Sequence, residues 1–294
     1  NNSIFANMLL SVIIVNYKVK NLLRDCLKSV ELAAQHMDIE IWVVDNHSND
    51  GSVEMLQQEF PQVNVIANTE NKGFSVANNQ AIDKAKGEYL LILNPDTRIN
   101  KNTFQDCLTF NQSTKDCGGI GVKMVNQKGS FLAESKRGYP SLWTAINRGL
   151  KLYKLFPKSA FFNPYYLGHL DQDSCHKVDV LAGAFIWIKR SIYKEVGGLD
   201  NDFFMYGEDI DLSYKIKKAN YQNYYLGTTS ILHYKGESTD MLSMDYINRF
   251  YGAMKIFTKK HKPFTYPLFH LAIGLMMIYK KALLYLRLIL VKKA

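Results

Sequence analysis

The sequence predicts an α/β fold in which helices cover both faces of a mostly parallel sheet. Apolar, β-branched runs alternate with amphipathic segments through residues 9–112, and the connections between them are short. Parallel strands need crossover connections, so this order predicts a doubly wound sheet with right-handed crossovers. The strand runs are apolar on both faces, as strands buried between two helix layers are.

The first half of the chain supplies four strands, each followed by a helix. We expect strands at residues 9–15, 39–44, 63–67 and 88–93. Helical periodicity predicts helices at residues 21–34, 53–60, 74–86 and 101–112. Polar side chains follow these strands: Asn16, Asp45, Asn68 with Asn71, and Asn94-Pro95-Asp96. Open α/β sheets bind ligands at the carboxyl ends of their strands, so these positions form the predicted site.

The strand ends favour some ligands over others. No G-x-G-x-x-G motif follows the first strand and no G-x-x-x-x-G-K-[ST] motif occurs, which disfavours a dinucleotide fold and a P-loop. Acidic and amide side chains at the strand ends are suited to hydrogen-bond to a base and a ribose. They are also suited to bind a diphosphate with the help of a metal ion. Taken alone, Asn94-Pro95-Asp96 is equally consistent with a plain turn, since all three residue types favour turns.

The second half of the chain is less regular. It predicts a hairpin from residues 118–124 and 130–134, a strand at 178–188 containing Gly183, and short strands at 224–226 and 230–233 that end at His233. Between them, residues 137–175 are irregular and rich in aromatics, Pro and Lys. Such a segment is typical of a functional cover, although its aromatics could equally form a satellite hydrophobic cluster.

Three acids, Glu208, Asp209 and Asp211, open a predicted helix whose far end is rich in lysine. Acidic side chains at a helix N-terminus complement the helix dipole. This accounts for acidic residues in general and does not mark any one of them as functional. At about 100° per residue, Glu208 and Asp209 flank the apolar face that contains Leu212, and Asp211 points away. Helical geometry therefore prefers Glu208 or Asp209 as the functional acid and leaves the choice between them open.

Composition bounds the function. The net charge is +9, from 36 basic and 27 acidic residues, but residues 249–294 hold ten Lys or Arg and no acid. The rest is nearly neutral, so a nucleic-acid surface across the whole domain is not implied. The four cysteines form no C-x-x-C pair and fit a reducing cytosol. No secretion signal is recognisable at the N-terminus, and secretion is not indicated.

The basic end of the chain predicts a separate element. Residues 1–245 would form the catalytic domain, with halves at 1–115 and 116–245, and 246–294 would form basic helices. A helix is expected at 246–261, and the apolar run at 268–291 is interrupted by Lys280, Lys281 and Arg287. Spanning a bilayer needs roughly twenty apolar residues. We therefore expect a basic amphipathic helix on an anionic membrane surface, the alternative being a helix packed on protein or in a dimer.

Taken together, several segments in order resemble the inverting family-2 glycosyltransferases with the GT-A fold, and most closely their bacterial rhamnosyltransferase-like subgroup. The resemblance covers residues 10–249. The segments that carry it are Ser11-Val12-Ile13-Ile14-Val15-Asn16-Tyr17, Val44-Asp45-Asn46-His47-Ser48-Asn49-Asp50-Gly51-Ser52, Asn71-Lys72-Gly73-Phe74-Ser75-Val76-Ala77-Asn78-Asn79, Asn94-Pro95-Asp96, Leu181-Ala182-Gly183-Ala184-Phe185, Gly207-Glu208-Asp209-Ile210-Asp211 and His233-Tyr234-Lys235-Gly236.

This resemblance implies residue roles. It implies nucleotide-sugar contacts from strand-end and loop residues: Val15, Asn16, Tyr17, Asp45, Asn71, Gly73, Asn78, Asn79, Asn94 and Gly183. The family's Glu-Asp pair corresponds to Glu208 and Asp209, with Asp209 as general base. Asp96 and His233 match metal positions, for Mg²⁺ or Mn²⁺. Asn94 departs from the family's D-x-D, which leaves one certain carboxylate; an imidazole ligand would favour Mn²⁺ over Mg²⁺.

The implied reaction moves a sugar from a nucleoside diphosphate donor, such as dTDP-rhamnose or a UDP-sugar, to a hydroxyl of a glycan or lipid-linked acceptor. It would serve cell-surface polysaccharide synthesis on the cytoplasmic face of the membrane. Two other hypotheses remain. One is a catalytically silent sugar-nucleotide-binding or scaffold protein. The other is a sugar nucleotidyltransferase, although residues 16–20 lack the Gly-rich loop that this chemistry uses.

Overall fold

The computed structural model describes residues 9–35, 37–234, 243–264 and 266–292, with the backbone alone for residues 283 and 286–292. The strands are β1 Leu10–Asn16, β2 Ile39–Asp45, β3 Asn64–Ala67, β4 Tyr89–Leu93, β5 Thr97–Ile99, β6 Cys117–Val125, β7 Cys175–Val178, β8 Phe185–Lys189 and β9 Gln222–His233. The α-helices are α1 Lys20–Ala33, α2 Ser52–Glu59, α3 Phe74–Ile82, α4 Thr103–Ser113, α5 Leu142–Gly149, α6 Leu152–Leu155, α7 Arg190–Glu195, α8 Glu208–Lys218, α9 Met244–His261 and α10 Tyr266–Lys292.

The strands form one sheet in the order β3-β2-β1-β4-β8-β6-β9-β5, with β7 paired to β9. The first four in this order are all parallel, and β6 is parallel to β9. Strand β8 is antiparallel to both β4 and β6. Because β1 pairs with β2 in a register that sets Asn16 against Asp45, the polar ends of these strands meet at one edge.

Helices cover both faces, as the sequence predicted. On one face α1, α2 and α4 bury Leu27, Leu56 and Phe104 against the sheet. On the other, α3, α7 and α8 bury residues such as Ala81 and Leu212. Every residue of β1 and of β4 is buried, which explains why these strands read as uninterrupted apolar runs.

The second half departs from several sequence expectations. Within the strand predicted at 178–188, only Val178, at the end of β7, and the β8 residues are in strands, because residues 179–184 leave the sheet. The N–H groups of Asp179 and Val180 donate to the Arg137 carbonyl instead. The two short strands predicted before His233 are one strand, β9, with a register shift after Leu226. The predicted hairpin shrinks to a bridge between Val125 and Phe131, followed by a short 3₁₀ turn. The segment 137–175 contains α5 and α6.

Helix α9 packs against α8 and the segment before it. Its Ala253 and Phe257 form a small core with Phe203, and Tyr214 of α8 packs on the Phe257 ring at 5.8 Å. Helix α10 follows, and Ile273 is buried while several of its other apolar side chains are exposed. Within the described ranges, no helix combines the length and the apolar character that a bilayer crossing needs.

Candidate active site

At the ends of β1 and β2, two predicted residues bond to each other. Asn16 Nδ2 donates to Asp45 Oδ1 at 2.8 Å and to Ser48 Oγ at 3.0 Å. The other Asp45 oxygen accepts the backbone N–H of Ser48 at 3.0 Å. Both side chains are buried, at 0% and 3% exposure. The Asp45 carboxylate is therefore fixed before any ligand arrives.

A second amide network shapes the loop after β3. Asn46 Nδ2 donates to Asn71 Oδ1 at 2.9 Å and to the Gly73 carbonyl at 3.1 Å. Gly73 N–H donates back to Asn71 Oδ1 at 3.0 Å. Gly73 has φ +82°, and a Cβ there would lie 2.5 Å from the Phe204 carbonyl oxygen. Only glycine suits this position, since it tolerates the left-handed backbone and the close approach together.

The asparagines of α3 have structural partners. Asn78 is fully buried and its Nδ2 donates to the Phe74 carbonyl one turn earlier. Asn79 donates to the Leu199 carbonyl at 2.7 Å and accepts from Tyr193 Oη at 2.6 Å. These bonds tie α3 to the turn after α7. The nucleotide contact predicted for Asn78 and Asn79 stays a prediction.

The Asn94-Pro95-Asp96 turn follows β4 and is held from two sides. Asn94 N–H donates to the Ala184 carbonyl at 3.0 Å, just ahead of β8. Asp96 Oδ1 lies 3.4 Å from His233 Nε2 because β5 and β9 pair with Thr97 opposite His233. Asp96 is 2% exposed and His233 is 9% exposed. The two residues predicted to bind metal are thus adjacent, although 137 positions separate them in the chain. Lys235 and Gly236, quoted with His233, lie outside the described residues.

At the start of α8, Asp209 is held by a long-range ion pair. Its Oδ2 accepts from Arg137 Nη2 at 2.6 Å and from the Gly183 N–H at 3.2 Å. Arg137 also donates to the Leu181 carbonyl at 2.7 Å. Burial alone would lower the pKa of Arg137, but the Asp209 carboxylate and Tyr165 together raise it. Arg137 therefore fixes the position of the Asp209 side chain.

Glu208 lies next to this pair and behaves differently. Burial, and then the negative charge of Asp209, raise the pKa of Glu208 to about 8. A Cβ placed on Gly183 would sit 3.6 Å from Glu208 Oε1 and 3.5 Å from Asp209 Cβ. At neutral pH Glu208 is therefore mostly protonated, unlike an ordinary glutamate.

Asp211, which the helical projection placed away from the Leu212 face, is nevertheless buried. It is 1% exposed; its carboxylate hydrogen-bonds to His261 Nε2 at 2.6 Å and forms an ion pair with Lys215 Nζ at 2.8 Å. The side of α8 that carries Asp211 is covered by α9, which brings His261 from fifty positions away. Asp211 anchors α9 to α8.

A cavity of about 280 Å³ opens beside these elements. Its walls include five predicted residues: Val15, Tyr17, Asn71, Gly73 and Asn94. The sequence did not predict the opposite wall: Phe204, Met205 and Tyr206 before α8, and Ser243, Asp245, Tyr246 and Arg249 around the start of α9. Arg249 stacks on the Phe204 ring at 4.3 Å. Nothing local in the sequence marked this wall, because it forms only when α9 packs against residues 203–206.

The profile of the family described as glycosyl transferase family 2 matches residues 11–197. The chain belongs to this family. Its relatives include N-acetylglucosaminyl-diphospho-decaprenol L-rhamnosyltransferase of Mycobacterium tuberculosis, 28% identical over 243 residues that cover 78% of this chain and 77% of the relative. Another is a low-salt glycan biosynthesis hexosyltransferase of Haloferax volcanii, 26% identical over 85% of this chain and 77% of its own length.

Solved structures of proteins bound to a nucleotide or a nucleotide sugar share the fold. GalNAc-T7, crystallised with UDP, GalNAc and Mn²⁺, superposes with a TM-score of 0.58 at 17% identity, over 85% of this chain. This chain spans 48% of the GalNAc-T7 chain. The mannosyltransferase PcManGT of Pyrobaculum calidifontis, with GDP-Man and Mn²⁺, gives 0.57 at 16% identity, over 97% of this chain and 75% of its own. These likenesses confirm the predicted GT-A fold.

The family assignment settles the broad class. This family-2 chain is a glycosyltransferase, as its motifs predicted, and a rhamnosyltransferase is among its relatives. The structure brings together Asn16 with Asp45, Asp96 with His233, and Gly183 with Asp209. Among the described residues, no three His, Cys, Asp or Glu side chains converge as a metal cage. The sequence missed Arg137, whose only local mark is its place at the start of the irregular segment.

Proposed function

We propose that this glycosyltransferase moves a sugar, with inversion, from a nucleoside diphosphate donor to a hydroxyl of a glycan or lipid-linked glycan. One observation carries the proposal. The dipeptide Gly183-Ala184 bonds Asn94 through the Ala184 carbonyl at 3.0 Å and Asp209 through the Gly183 N–H at 3.2 Å. The proposed diphosphate end of the donor and the proposed base therefore flank one short backbone segment.

Asp209 is the proposed general base. Inverting transfer needs a carboxylate that takes the acceptor proton as the acceptor oxygen attacks the anomeric carbon. Arg137 supports this role by fixing the position of the Asp209 carboxylate, and the raised pKa of Glu208 keeps that neighbouring acid neutral. A protonated Glu208 also adds no second negative charge next to the incoming diphosphate.

The donor nucleotide would lie along the ends of β1 and β2. We propose that Asp45 hydrogen-bonds to the pyrimidine base of the donor nucleotide. The loop from Asn71 to Gly73 would line the ribose and the phosphates. The chain has a rhamnosyltransferase relative, which makes dTDP-rhamnose one candidate donor, and a UDP-sugar is the other.

A divalent cation fits beside Asp96 and His233. The two side chains are buried, adjacent and of types that bind Mn²⁺ well, an oxygen and an imidazole nitrogen. When bound, such an ion stabilises charge that grows on the leaving diphosphate. Since the described residues offer no third ligand of the usual types, donor oxygens would complete the coordination, and we expect the ion and the donor to bind together.

We further propose that the protein works at the cytoplasmic face of a membrane. Helix α10 exposes an apolar stripe, with Leu268, Leu271, Leu275 and Ile278 each 58–66% exposed. Lys280 and Lys281 follow this stripe. An apolar stripe with adjoining cations suits an anionic bilayer surface. The M. tuberculosis relative is named for a decaprenol-linked acceptor, which supports a lipid-linked acceptor here.

The direct test is turnover by Asp209→Asn. The substitution keeps the shape and removes the base, so kcat should fall by about 10²–10⁴-fold while nucleotide affinity stays within twofold. Asp179→Asn is the matched control, because Asp179 pairs with Lys217 at a half-exposed surface. Turnover within threefold of wild type would reject Asp209 as the base.

Donor and metal are identified by a thermal-shift screen. Wild-type protein is heated with UDP- and dTDP-sugars, each with and without Mn²⁺ or Mg²⁺. We expect a donor and Mn²⁺ together to raise the melting temperature more than the sum of the two alone. Asp96→Asn should remove this synergy. A silent binding protein would instead show the shift with no product formed from any acceptor.

A further inference from the structure

The helix α5, in the segment 137–175, buries polar side chains and exposes apolar ones, which is the reverse of an ordinary surface helix. Its two buried side chains, Thr144 and Asn147, are polar and 5% and 1% exposed. Its outward side chains include Ile146 and Leu150, at 48% and 65% exposure. A helix on a water-soluble surface normally buries its apolar stripe. The outward stripe of α5 is therefore built to meet an apolar partner.

The exposed apolar surface continues beyond α5. We call the whole surface the insertion face; it consists of Trp143, Ile146, Leu150, Leu155, Phe156 and Phe161, which are 38–70% exposed. Exposed apolar side chains are normal singly, but a contiguous set of large ones marks an interaction site.

This face is preformed. The Trp143 and Phe161 rings lie 4.7 Å apart, and Trp143 Nε1–H donates to the Phe161 carbonyl at 2.8 Å. Phe156 stacks on Phe162 at 4.7 Å. Ser141 and Thr144 close a capping box that fixes the start of α5. The aromatic side chains are thus held in place at the surface.

Charge indicates what the face meets. Residues 142–162 contain four cations, Arg148, Lys151, Lys154 and Lys158, and no acid. A self-paired interface with a second copy would set these cations against the same cations, which is unfavourable. Large apolar and aromatic side chains interleaved with Lys and Arg are what an anionic bilayer surface attracts.

We propose that the insertion face docks on the surface of an anionic lipid bilayer, as a membrane contact separate from α10. Trp143, Phe156 and Phe161 would enter the headgroup region, and the lysines would meet lipid phosphates. Binding to lipid does not require sugar transfer, so this contact can be tested independently of the proposed reaction. If Asp209 is the base, as proposed above, the same segment links the bilayer to the reaction, because it begins at Arg137.

The test is co-sedimentation of the full chain with phosphatidylcholine vesicles that contain or lack phosphatidylglycerol. The test variant is Ile146→Ser, Leu150→Ser and Leu155→Ser combined; all three side chains are exposed, so the fold should persist and the melting temperature should be unchanged. We expect binding to the anionic vesicles to fall at least tenfold, since three apolar side chains that would enter the bilayer are replaced by polar ones. A Lys151→Glu, Lys154→Glu variant should remove the preference for phosphatidylglycerol.

Two controls separate this face from others. Leu32→Ser changes an equally exposed leucine on α1, at 58% exposure, and should bind as wild type does. Leu271→Ser with Leu275→Ser weakens the α10 stripe, and the insertion variant should lower binding further in that background. Trp143 emission should shift to the blue on anionic vesicles, and Trp143→Phe should lose that shift.

Three outcomes would overturn the inference. The first is wild-type protein that does not bind either vesicle. The second is an insertion variant that binds within twofold of wild type while the α10 variant loses binding. The third is a smaller mass by light scattering for the insertion variant at unchanged vesicle binding, which would assign the face to a second copy of the chain. Loss of binding with normal Asp209-dependent turnover on a soluble acceptor would uphold both this inference and the proposed reaction.

Discussion

At the ends of β1 and β2, the side-chain amide of Asn16 donates a hydrogen bond to the carboxylate of Asp45, 29 positions later in the chain. At the start of α8, Asp209 is held across 72 positions by the full charge of Arg137. The first arrangement joins neighbouring strands of a parallel sheet, so it follows from the register. The Arg137–Asp209 ion pair forms only when residues 137–175 fold so that Arg137 reaches the start of α8. Breaking a largely buried ion pair leaves an unpaired charge behind and costs more than breaking a hydrogen bond to one charged group, so substitutions in the two halves of the site should have different effects.

The largest effect is expected from Arg137→Gln. It leaves the Asp209 carboxylate buried without its counter-ion, which typically costs about 3–5 kcal/mol, or on the order of 10 °C in melting temperature. The double variant with Asp209→Asn should recover part of this loss, because no buried charge remains. The control is Arg98→Gln, whose partner Asp25 is 3.7 Å away at an exposed surface. Equal melting curves for the two arginine variants would show that the pair is unimportant.

Asp45→Asn should act on binding in the other half. A hydrogen bond to a charged group contributes about 1.5–3 kcal/mol, so nucleotide affinity should fall roughly 10–100-fold. Calorimetric titration with UDP and dTDP measures it. Asp50→Asn is the control in the same loop, because Asp50 accepts from Ser52 and from the Lys20 backbone and should leave affinity within twofold. Unchanged affinity in Asp45→Asn would remove Asp45 from the nucleotide site.

Asp211→Asn probes the anchor between α8 and α9. Losing the charge-assisted bonds to His261 and Lys215 should cost about 2 kcal/mol, or on the order of 5 °C, and should speed amide hydrogen exchange in α9. Asp245→Asn is the control, since the Asp245–Arg249 pair is exposed and contributes little. If α9 exchanges at the same rate in both variants, Asp211 does not hold it.

The smallest effect is expected from Glu208→Gln, which should change how the melting temperature depends on pH. The pKa of about 8 in the folded protein lies above the ordinary value of 4.5, so the stability that Glu208 contributes is complete below pH 4.5 and is lost as the pH rises through 8. Melting temperatures of the variant and wild type should therefore agree near pH 4.5, and the difference between them should grow as the pH rises from there to 8. The variant should be higher by a few degrees near pH 9. Glu59→Gln, at the exposed pair with Arg24, serves as control. Parallel curves across this range would contradict a buried neutral Glu208.

Sequence reasoning located the strand-end half of the site because its signals are local. Asn16, Asp45 and Asp96 each follow an apolar run, and parallel pairing brings strand ends together. It even placed His233 at a strand end, although its approach to Asp96 depends on the pairing of β5 with β9.

The other half could not be derived in this way. Helical projection of α8 placed Asp211 away from Leu212, and only the packing of α9 shows that Asp211 is buried. Arg137 and Arg249 act on residues 72 and 45 positions away, and no periodicity reports contacts of that span. The same holds for α5: the sequence predicts an irregular segment at residues 137–175, whereas the structure forms a helix there whose apolar stripe points outward.

The Gly73 turn has a consequence for the order of events during catalysis. Phe74 N–H donates to the Phe204 carbonyl at 2.6 Å, and Phe204 lies four residues before the start of α8. A donor seated on this loop would press on the same backbone that sets the position of Asp209. We therefore expect compulsory-order kinetics, in which the nucleotide sugar enters first and its arrival completes the binding site for the acceptor.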